Sequence, residues 1–355
     1  MPLKESYAIW NNKGGVGKST ITFHLASRYA ELHPEQKVLV IDLCPQSNSS
    51  MMLLGGGAKG EANVLNLCTQ TVPQTVVGYL STVISGGQGA ALPNPYNFLV
   101  NTSQFNPELS NNLYLLCGDG NLEPMAPAIS GAAALPSLTP SSQPWVWVHN
   151  IFRAFVDSLV SGDKSEWMIF VDTNPSFSIY TELAISAVNK IITPVNADDS
   201  SRVATNAMFI LLHGQVPPHP IYGSWTYAAR AQTHSMHVPL IHMVIGNRLT
   251  QLNGPANAFK ALSDATADTL FLAYQNHPSY FTTRKNNAVS LQDFRDDYSA
   301  ALRDFNTAGV VAAHLGKPLS RLAQGYYPVH GIDVKVNADK VQECRKAIDH
   351  VLSYL

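Results

Sequence analysis

"NNKGGVGKST", residues 11–20, is the stretch that decides the fold. It nearly matches the phosphate-binding pattern G-x-x-x-x-G-K-[ST], but Asn12 replaces the first glycine and Lys13 is an additional lysine. In that pattern backbone N–H groups surround phosphates, the lysine (here Lys18) reaches the β and γ oxygens, and the hydroxyl (here Ser19) binds Mg²⁺. The stretch follows a strand-like run and precedes an amphipathic helical run, which is the context that the pattern requires.

The glycine-rich loop predicts one set of phosphate-binding residues: Gly14, Gly15, Val16, Gly17, Lys18, Ser19 and Thr20. Lys13 cannot usefully duplicate Lys18, because two ammonium groups at one site repel each other. We therefore expect the Lys13 side chain to point outward or across to another molecule.

Strands and helices alternate along the chain. Short apolar runs at 7–10, 37–42, 167–172, 190–195 and 239–247 predict buried parallel strands. Helical spacing follows Ser19, and it recurs over 147–160. This order predicts an α/β fold with a mainly parallel sheet covered by helices on both faces.

The segment from about 55 to 145 has a different texture, rich in Gly, Pro, Asn and Ser with weak periodicity. The strands on either side of it fit one sheet pattern, so we interpret residues 1–355 as a single domain with a decorated insertion at 55–145. Residues 214–225 are also loop-like.

Composition limits the classes of protein. The apolar fraction of 45% is ample for a large core, whereas the charged fraction of 14% is low against the roughly 25% of typical domains. The net charge of −2 gives no global basic field. Four separated cysteines favour a reducing, cytoplasmic location, and the absence of an apolar run of about 18 residues argues against stable membrane insertion.

Two further motifs each place an aspartate at the end of a predicted strand. They are "VLVIDLCPQSN" (38–48), which contains Asp42, and "MIFVDTNPSF" (168–177), which contains Asp172. Together with "KGGVGKST" they resemble the signatures of the ParA/MinD group of deviant Walker A P-loop ATPases. The resemblance covers most of the chain, and it implies an ATP-dependent dimer with ATP and Mg²⁺ as cofactors.

The resemblance assigns a role to each motif residue. Lys13 would extend over the dimer interface to the partner's nucleotide, and Lys18 and Asp42 would complete the catalytic set, with Asp42 orienting Lys18 or a water. Ser19 would bind Mg²⁺ directly, and Asp172 would hold its shell through water. "VIGNRL" (244–249) resembles the strand that ends in an adenine-contacting asparagine, here Asn247. An asparagine at a strand end is equally well explained as a turn former.

Cys44 departs from the family, whose signature has a second aspartate at this position. A thiol is mostly neutral at pH 7 and cannot replace a carboxylate in aligning a water. We therefore expect slow, partner-stimulated ATP hydrolysis. A reactive thiolate beside the cationic loop is the alternative for this residue.

Two other features weigh against alternative functions. His234, His237 and His242 are near one another in sequence, but no carboxylate or cysteine accompanies them, so we interpret them as structural. The terminal helix at 339–355 has an apolar stripe, yet its polar face mixes acids and bases, which favours docking on the sheet over a membrane-binding tail.

The leading functional hypothesis is a homodimeric, ATP-gated switch that binds non-specific DNA and is triggered by an activating protein partner, as ParA-like proteins are. It would act in plasmid or chromosome segregation or in positioning another cargo. The distribution of charge argues against this hypothesis, because the basic residues that could contact DNA are interleaved with acidic ones. These basic residues are Arg303, Lys317, Arg321, Lys335, Arg345 and Lys346. The alternative is a nucleotide-dependent assembly subunit that binds a protein partner without DNA. An iron–sulfur reductase on the same fold is set aside, because Cys68 and Cys117 lack the required glycine-rich motifs.

Overall fold

The computed structural model describes residues 3–137, 139, 142–196, 198–215, 217–249, 257–284, 287–303 and 306–355, with side chains for all except 248, 249, 257–264, 303 and 306. Its strands are β1 Leu3–Ile9, β2 Lys37–Leu43, β3 Val100–Asn101, β4 Leu113–Leu116, β5 Trp167–Thr173, β6 Lys190–Val195, β7 Leu240–Leu249, β8 Ser299–Arg303, β9 Gly325–Val329 and β10 Ile332–Val336.

The first eight strands form one sheet in the order β3-β4-β2-β5-β1-β6-β7-β8. All neighbouring pairs are parallel except β3 and β4 at one edge. Strands β9 and β10 form a separate antiparallel hairpin. The predicted α/β class with a mainly parallel sheet is confirmed.

The helices cover both faces of the sheet. They are α1 Lys18–Leu32, α2 Asn48–Leu53, α3 Gly57–Cys68, α4 Val76–Gly86, α5 Leu122–Ala133, α6 Pro144–His149, α7 Ile151–Ser161, α8 Ile179–Ser186, α9 Asp199–His213, α10 Tyr227–Thr233, α11 Asn257–Asn276, α12 Leu291–Tyr298, α13 Asn306–His314 and α14 Ala338–Leu352.

Each face of the sheet has its own apolar core, because successive strand residues point to opposite sides. In and just after β1, Tyr7 and Ile9 pack into the core with α1, α13 and α14, whereas Ala8 and Trp10 pack into the core with α4 to α8. The strands are therefore buried on both sides, which explains why they are almost continuously apolar in sequence.

The five apolar runs of the sequence lie in β1, β2, β5, β6 and β7, so these predicted strands are confirmed. The single helix expected over 147–160 is instead two helices, α6 and α7. They are separated at Asn150, whose ψ of 4° departs from the helical value of about −42°. The terminal helix α14 packs against α1, α13 and β8, and its apolar stripe is buried there as expected.

Residues 55–145 contain more regular secondary structure than their loop-like sequence predicts. They form α3, α4, α5 and the edge strands β3 and β4, and β4 pairs directly with β2. Two glycines of this segment, Gly60 and Gly78, lie in helices and allow close contact with neighbouring backbone. A Cβ on Gly60 would lie 2.1 Å from the Met51 carbonyl oxygen, and one on Gly78 would lie 1.9 Å from that of Pro73.

The carboxyl ends of the parallel strands meet at one edge of the sheet. The loop after β1 leads into α1 there, and Asp42 and Asp172 stand opposite each other on β2 and β5. Ligands of open α/β sheets bind at this edge, where successive connections leave to opposite sides. The topology therefore brings the sequence motifs together.

Candidate phosphate-binding site

The loop between β1 and α1 has the backbone that its glycines allow. Gly15 and Gly17 have φ of +72° and +82°, a left-handed region that residues with a side chain rarely adopt. A Cβ on Gly14 or Gly15 would meet no atom within 4 Å, so the loop borders open space. α1 begins at Lys18, and its unpaired N-terminal N–H groups face the same end of the loop.

A cavity of about 300 Å³ lies beside this loop. Its lining joins the loop to the ends of β2 and β5 and consists of Gly14, Gly15, Gly17, Lys18, Ser19, Thr20, Cys44, Gln46, Asn48, Met52, Thr173 and Pro175. Six of the seven residues expected to bind phosphate therefore border one cavity. The seventh, Val16, is fully buried behind the loop.

Lys18 folds back onto the loop. Its side chain is almost buried, and its ammonium nitrogen donates to the carbonyl oxygens of Asn11 at 3.1 Å and Lys13 at 3.0 Å. Burial lowers the pKa of Lys18, and the nearby Asp172 and Cys44 partly oppose this. The Lys18 ammonium group thus lies at the cavity wall, where its hydrogen bonds go to neutral carbonyl oxygens. An anion would be a better partner for it.

Lys13 forms an ion pair with Asp198 of the same chain. Asp198 also caps α9, accepting a hydrogen bond from the Ser201 backbone at 2.9 Å. Partial burial opposes the effect, but the Lys13 ammonium and the hydroxyls of Ser200 and Ser201 lower the pKa of Asp198 to about 2. The Asp198 carboxylate is therefore ionised at neutral pH.

Asp42 is fully buried at the end of β2 and is held by several donors. Its Oδ1 accepts from the Cys44 N–H at 3.1 Å. Its Oδ2 accepts from the Ser50 N–H at 2.9 Å and the Ser50 hydroxyl at 2.7 Å. Burial raises the pKa of Asp42, and these hydrogen bonds offset part of the increase.

Asp172 is fully buried on the adjacent strand β5. Its Oδ1 accepts from the Thr173 N–H at 3.0 Å, whereas its Oδ2 has no hydrogen-bond partner among the described residues. Burial and the neighbouring Asp42 raise the pKa of Asp172 to about 7, and the Ser19 and Ser49 hydroxyls oppose the increase. Two carboxylates and nearby hydroxyls form the oxygen donor set that a hard divalent cation favours, so these residues fit Mg²⁺.

Cys44 is buried beside both carboxylates. Burial, followed by the charges of Asp42 and Asp172, raises the pKa of the Cys44 thiol to about 12. The thiol is therefore neutral at physiological pH, as the sequence suggested. The raised pKa disfavours the alternative of a reactive thiolate at Cys44, because burial and the neighbouring acids outweigh the cationic loop.

Asn247 lies at the loop, on its buried side. Its Nδ2 donates to the Val16 carbonyl oxygen at 2.8 Å, and a Cβ on Gly17 would come within 2.4 Å of this nitrogen. The amide thus connects β7 to the phosphate-binding loop. An adenine contact by Asn247 stays a prediction.

Sequence reasoning missed Ser50 and Gly118 as residues of this site. Ser50 lies in α2, two residues after the motif that contains Asp42, and Gly118 follows β4. The "NSS" that follows "PQS" was the available signal for Ser50, because short hydroxyl side chains beside a buried carboxylate are natural hydrogen-bond donors. Nothing in the local sequence indicates Gly118.

The histidines at 234, 237 and 242 form no metal site. Within the part of the chain that the structure describes, no cluster of three or more His, Cys, Asp and Glu side chains could hold a metal ion. His242 is buried, with its ring nitrogens near the Thr282 hydroxyl at 3.2 Å and the Tyr354 carbonyl at 2.9 Å. Among the described residues, none of the helices has both the length and the apolar character to cross a bilayer.

The sheet order, the glycine loop and the paired strand-end carboxylates are those of a P-loop fold. Residues 4–104 match a family model described as an AAA domain. The apo structure of McdA from Cyanothece is similar, with a TM-score of 0.59 and 14% identity over 98% of this chain and 99% of that chain.

Two further solved structures are similar at the same level. An ATP complex of a Cyanothece McdA variant has a TM-score of 0.61 and 14% identity over 99% of this chain and 95% of that chain. A Borrelia burgdorferi protein described as a plasmid partition protein, bound to AMPPNP, has a TM-score of 0.53 and 14% identity over 99% of both chains. These similarities establish the fold, and with the family model they support the resemblance to the ParA/MinD family.

Proposed function

We propose that this protein is an ATP-binding, ATP-hydrolysing dimerisation switch of the ParA type. The observation that carries the proposal is the cavity at the phosphate-binding loop. It is lined by the buried Lys18 and by Cys44 and Thr173, which closely follow the two buried carboxylates, Asp42 and Asp172. A triphosphate would supply the anion that Lys18 lacks, and the accompanying Mg²⁺ would neutralise part of its charge. The ATP and AMPPNP complexes of the similar structures support this nucleotide.

Each site residue has a proposed task. The N–H groups from Gly14 to Thr20 hold the phosphates, and Lys18 exchanges its two carbonyl partners for phosphate oxygens. Ser19 and Asp172 hold Mg²⁺, the first directly and the second through water. Asp42 orients the attacking water.

Lys13 has the proposed task of reaching the nucleotide of a second copy. In the monomer its ammonium group is paired with Asp198, so this role requires the ion pair to open. A Lys13→Ala protein is expected to bind ATP but to lose ATP-dependent dimerisation. Dimerisation and stimulated hydrolysis at the wild-type level would contradict the role.

Cys44 supports the further proposal that hydrolysis is slow until a protein partner binds. The neutral thiol provides no charge for aligning a water. The dimer would therefore persist in the ATP state and release its partners only after stimulation.

We propose non-specific DNA as the track of the ATP-bound dimer, on the basis of the family resemblance. The local charges give limited support. Lys335 and Lys346 are exposed, but Lys317 and Arg321 lie 3.3 and 3.9 Å from Glu108, which offsets their charge. Binding to duplex DNA should therefore be modest and should weaken further as the salt concentration rises.

The alternative proposal is an assembly subunit whose output is a protein partner. It is favoured by large apolar side chains that are exposed on α9 and on the loop after it: Val203, Ile210, Ile221, Tyr222 and Trp225. Large exposed apolar side chains mark protein interfaces where they form a contiguous patch.

One experiment separates the two outputs. Binding to non-specific duplex DNA is measured with a slowly hydrolysed ATP analogue and with ADP, at low and near-physiological salt, while light scattering reports the oligomeric state. DNA binding only by the ATP-like dimer, and weakened by salt, supports the DNA track. Dimerisation without DNA binding supports the protein partner. The Lys18→Ala variant is the control that should bind no nucleotide. If the wild type also binds neither nucleotide, the proposed function itself is overturned.

A further inference from the structure

A chain of hydrogen bonds connects the end of β4 to Asp42. The Gly118 N–H donates to the Ser50 hydroxyl oxygen at 2.8 Å, and that hydroxyl donates to Asp42 Oδ2 at 2.7 Å. Ser50 and Asp42 are both fully buried. Because the Ser50 oxygen already accepts from Gly118, its own proton is directed towards the carboxylate.

Gly118 is held close to Asp42 by more than this bond. A Cβ at Gly118 would lie 2.9 Å from both Cγ and Oδ2 of Asp42 and 2.7 Å from the Ser47 hydroxyl oxygen. Real Cβ atoms do not come this close, so the backbone lies directly against the carboxylate, which only glycine permits.

The residues around Gly118 are themselves fixed to the start of α4. The Cys117 carbonyl accepts from the Val76 N–H at 2.8 Å. Asp119 is buried and accepts from the Thr75 hydroxyl at 2.8 Å. The segment at 55–145 thus fixes the Gly118 backbone N–H beside the Asp42 carboxylate.

We infer that Ser50 is a positioning residue for Asp42, and that its hydroxyl transmits the position of the β4 end to this carboxylate. The inference rests on the proposed ATPase function, in which Asp42 orients the attacking water. Three donors then fix the rotation of the carboxylate: one on Oδ1 and two on Oδ2. Removing the hydroxyl takes away one of them and also leaves the Gly118 N–H without this acceptor.

The test compares Ser50→Ala, Ser50→Thr and Ser186→Ala with the wild type. Threonine keeps the hydroxyl. Ser186 is a matched control because it is also a buried serine with a side-chain partner, the Tyr227 hydroxyl at 2.9 Å, but it lies outside the cavity. The measurements are kcat and KM for ATP, the Kd of an ATP analogue, and hydrogen exchange at the Gly118 amide in the nucleotide-free protein.

For Ser50→Ala we expect kcat to fall about tenfold, which is about 1.4 kcal/mol of transition-state stabilisation, while the Kd of the analogue changes less than twofold. Exchange at Gly118 should become about tenfold faster. Ser50→Thr should recover most of kcat, and Ser186→Ala should change neither kcat nor the exchange.

Three results would overturn the inference: an unchanged kcat in Ser50→Ala, an equal loss in Ser50→Thr, or an equal loss in Ser186→Ala. If the wild type binds no nucleotide, the proposed function fails separately. The exchange measurement on the free protein still tests the contact between Ser50 and Gly118, and unchanged exchange in Ser50→Ala would exclude it.

Discussion

Replacing Asn247 by alanine separates two roles of this residue: bracing the phosphate-binding loop and recognising a base. The Asn247 amide is buried and donates to the Val16 carbonyl at 2.8 Å. It also occupies the space beside Gly17, because a Cβ there would lie 2.4 Å from its nitrogen. Alanine would remove the donor and leave a gap between β7 and the loop.

The size of the effect follows from the buried hydrogen bond. A neutral bond contributes about 0.5 to 1.5 kcal/mol, and a buried acceptor that loses its donor costs about 1 to 3 kcal/mol. We therefore expect the free energy of unfolding of the nucleotide-free protein to fall by about 1 to 3 kcal/mol in Asn247→Ala. A less ordered loop should also weaken the binding of phosphate by about tenfold, or about 1.4 kcal/mol.

The assay compares two ligands, Mg–ATP and Mg–tripolyphosphate, by titration calorimetry, alongside urea unfolding of the free protein. Bracing predicts that both affinities fall by the same factor, because tripolyphosphate has no base. Asn112→Ala is the control, because the Asn112 amide donates to three carbonyl oxygens near the end of α1, outside the cavity. It should lower stability without changing either affinity.

An unchanged free energy of unfolding, with a loss of affinity for ATP alone, would refute the bracing argument. That result would instead establish Asn247 as a base contact. Equal losses for both ligands would leave adenine recognition to other residues.

Further predictions concern the lysine and the acids of the site. Cys44→Asp should increase steady-state ATP turnover several-fold, because it restores a carboxylate beside the phosphates. Asp198→Asn should lower the protein concentration needed for ATP-dependent dimerisation by about two- to fivefold in light scattering, the size expected when a partly exposed ion pair no longer holds Lys13. Because the pKa of buried Asp172 is raised to about 7, the folded free protein binds this proton more tightly than the unfolded chain. Its stabilising contribution is therefore lost as the pH rises from about 4 to 7, and chemical unfolding in EDTA should show wild type losing about 2 to 3 kcal/mol relative to Asp172→Asn between pH 5 and 8.

Each of these predictions has an opposing result. Equal or slower turnover in Cys44→Asp would show that the thiol does not limit hydrolysis. Asp199→Asn removes the same charge from the next residue, so an equal effect on dimerisation would exclude the specific pairing with Lys13. Parallel pH profiles for wild type and Asp172→Asn would mean that Asp172 is already charged in the free protein.

The sequence predicts the parts of the fold and site that depend on short-range patterns. Buried parallel strands are continuous apolar runs, and the loop between β1 and α1 needs glycine where φ is positive, so both are visible in a few consecutive residues. Asp42 and Asp172 are also predictable as strand-end carboxylates. Parallel strands bring their carboxyl ends to one edge, and this places the two opposite each other in register.

The sequence does not predict the contacts that depend on where distant segments come together. Gly118 reaches Asp42 only because β4 pairs with β2, and β4 is four residues of Leu and Tyr without a β-branched side chain. The pairing of Lys13 with Asp198 joins residues 185 positions apart. In α3 and α4, glycine is needed where the helix packs closely against other backbone, but a glycine-rich sequence is also typical of loops. The composition of this region therefore indicated loops where the structure has helices.

The two lysines of the loop start from different states, and this difference bears on how a switch could work. Lys18 donates only to neutral carbonyls, so a phosphate is a better partner for it and one molecule can complete that exchange alone. Lys13 already has an anionic partner, so a phosphate offers it a smaller gain than it offers Lys18. Nucleotide binding by a monomer would therefore satisfy Lys18 and leave Lys13 paired. Only the further contacts of a second copy would favour releasing it, and by linkage any change that weakens the pair with Asp198 should strengthen dimerisation by the same factor.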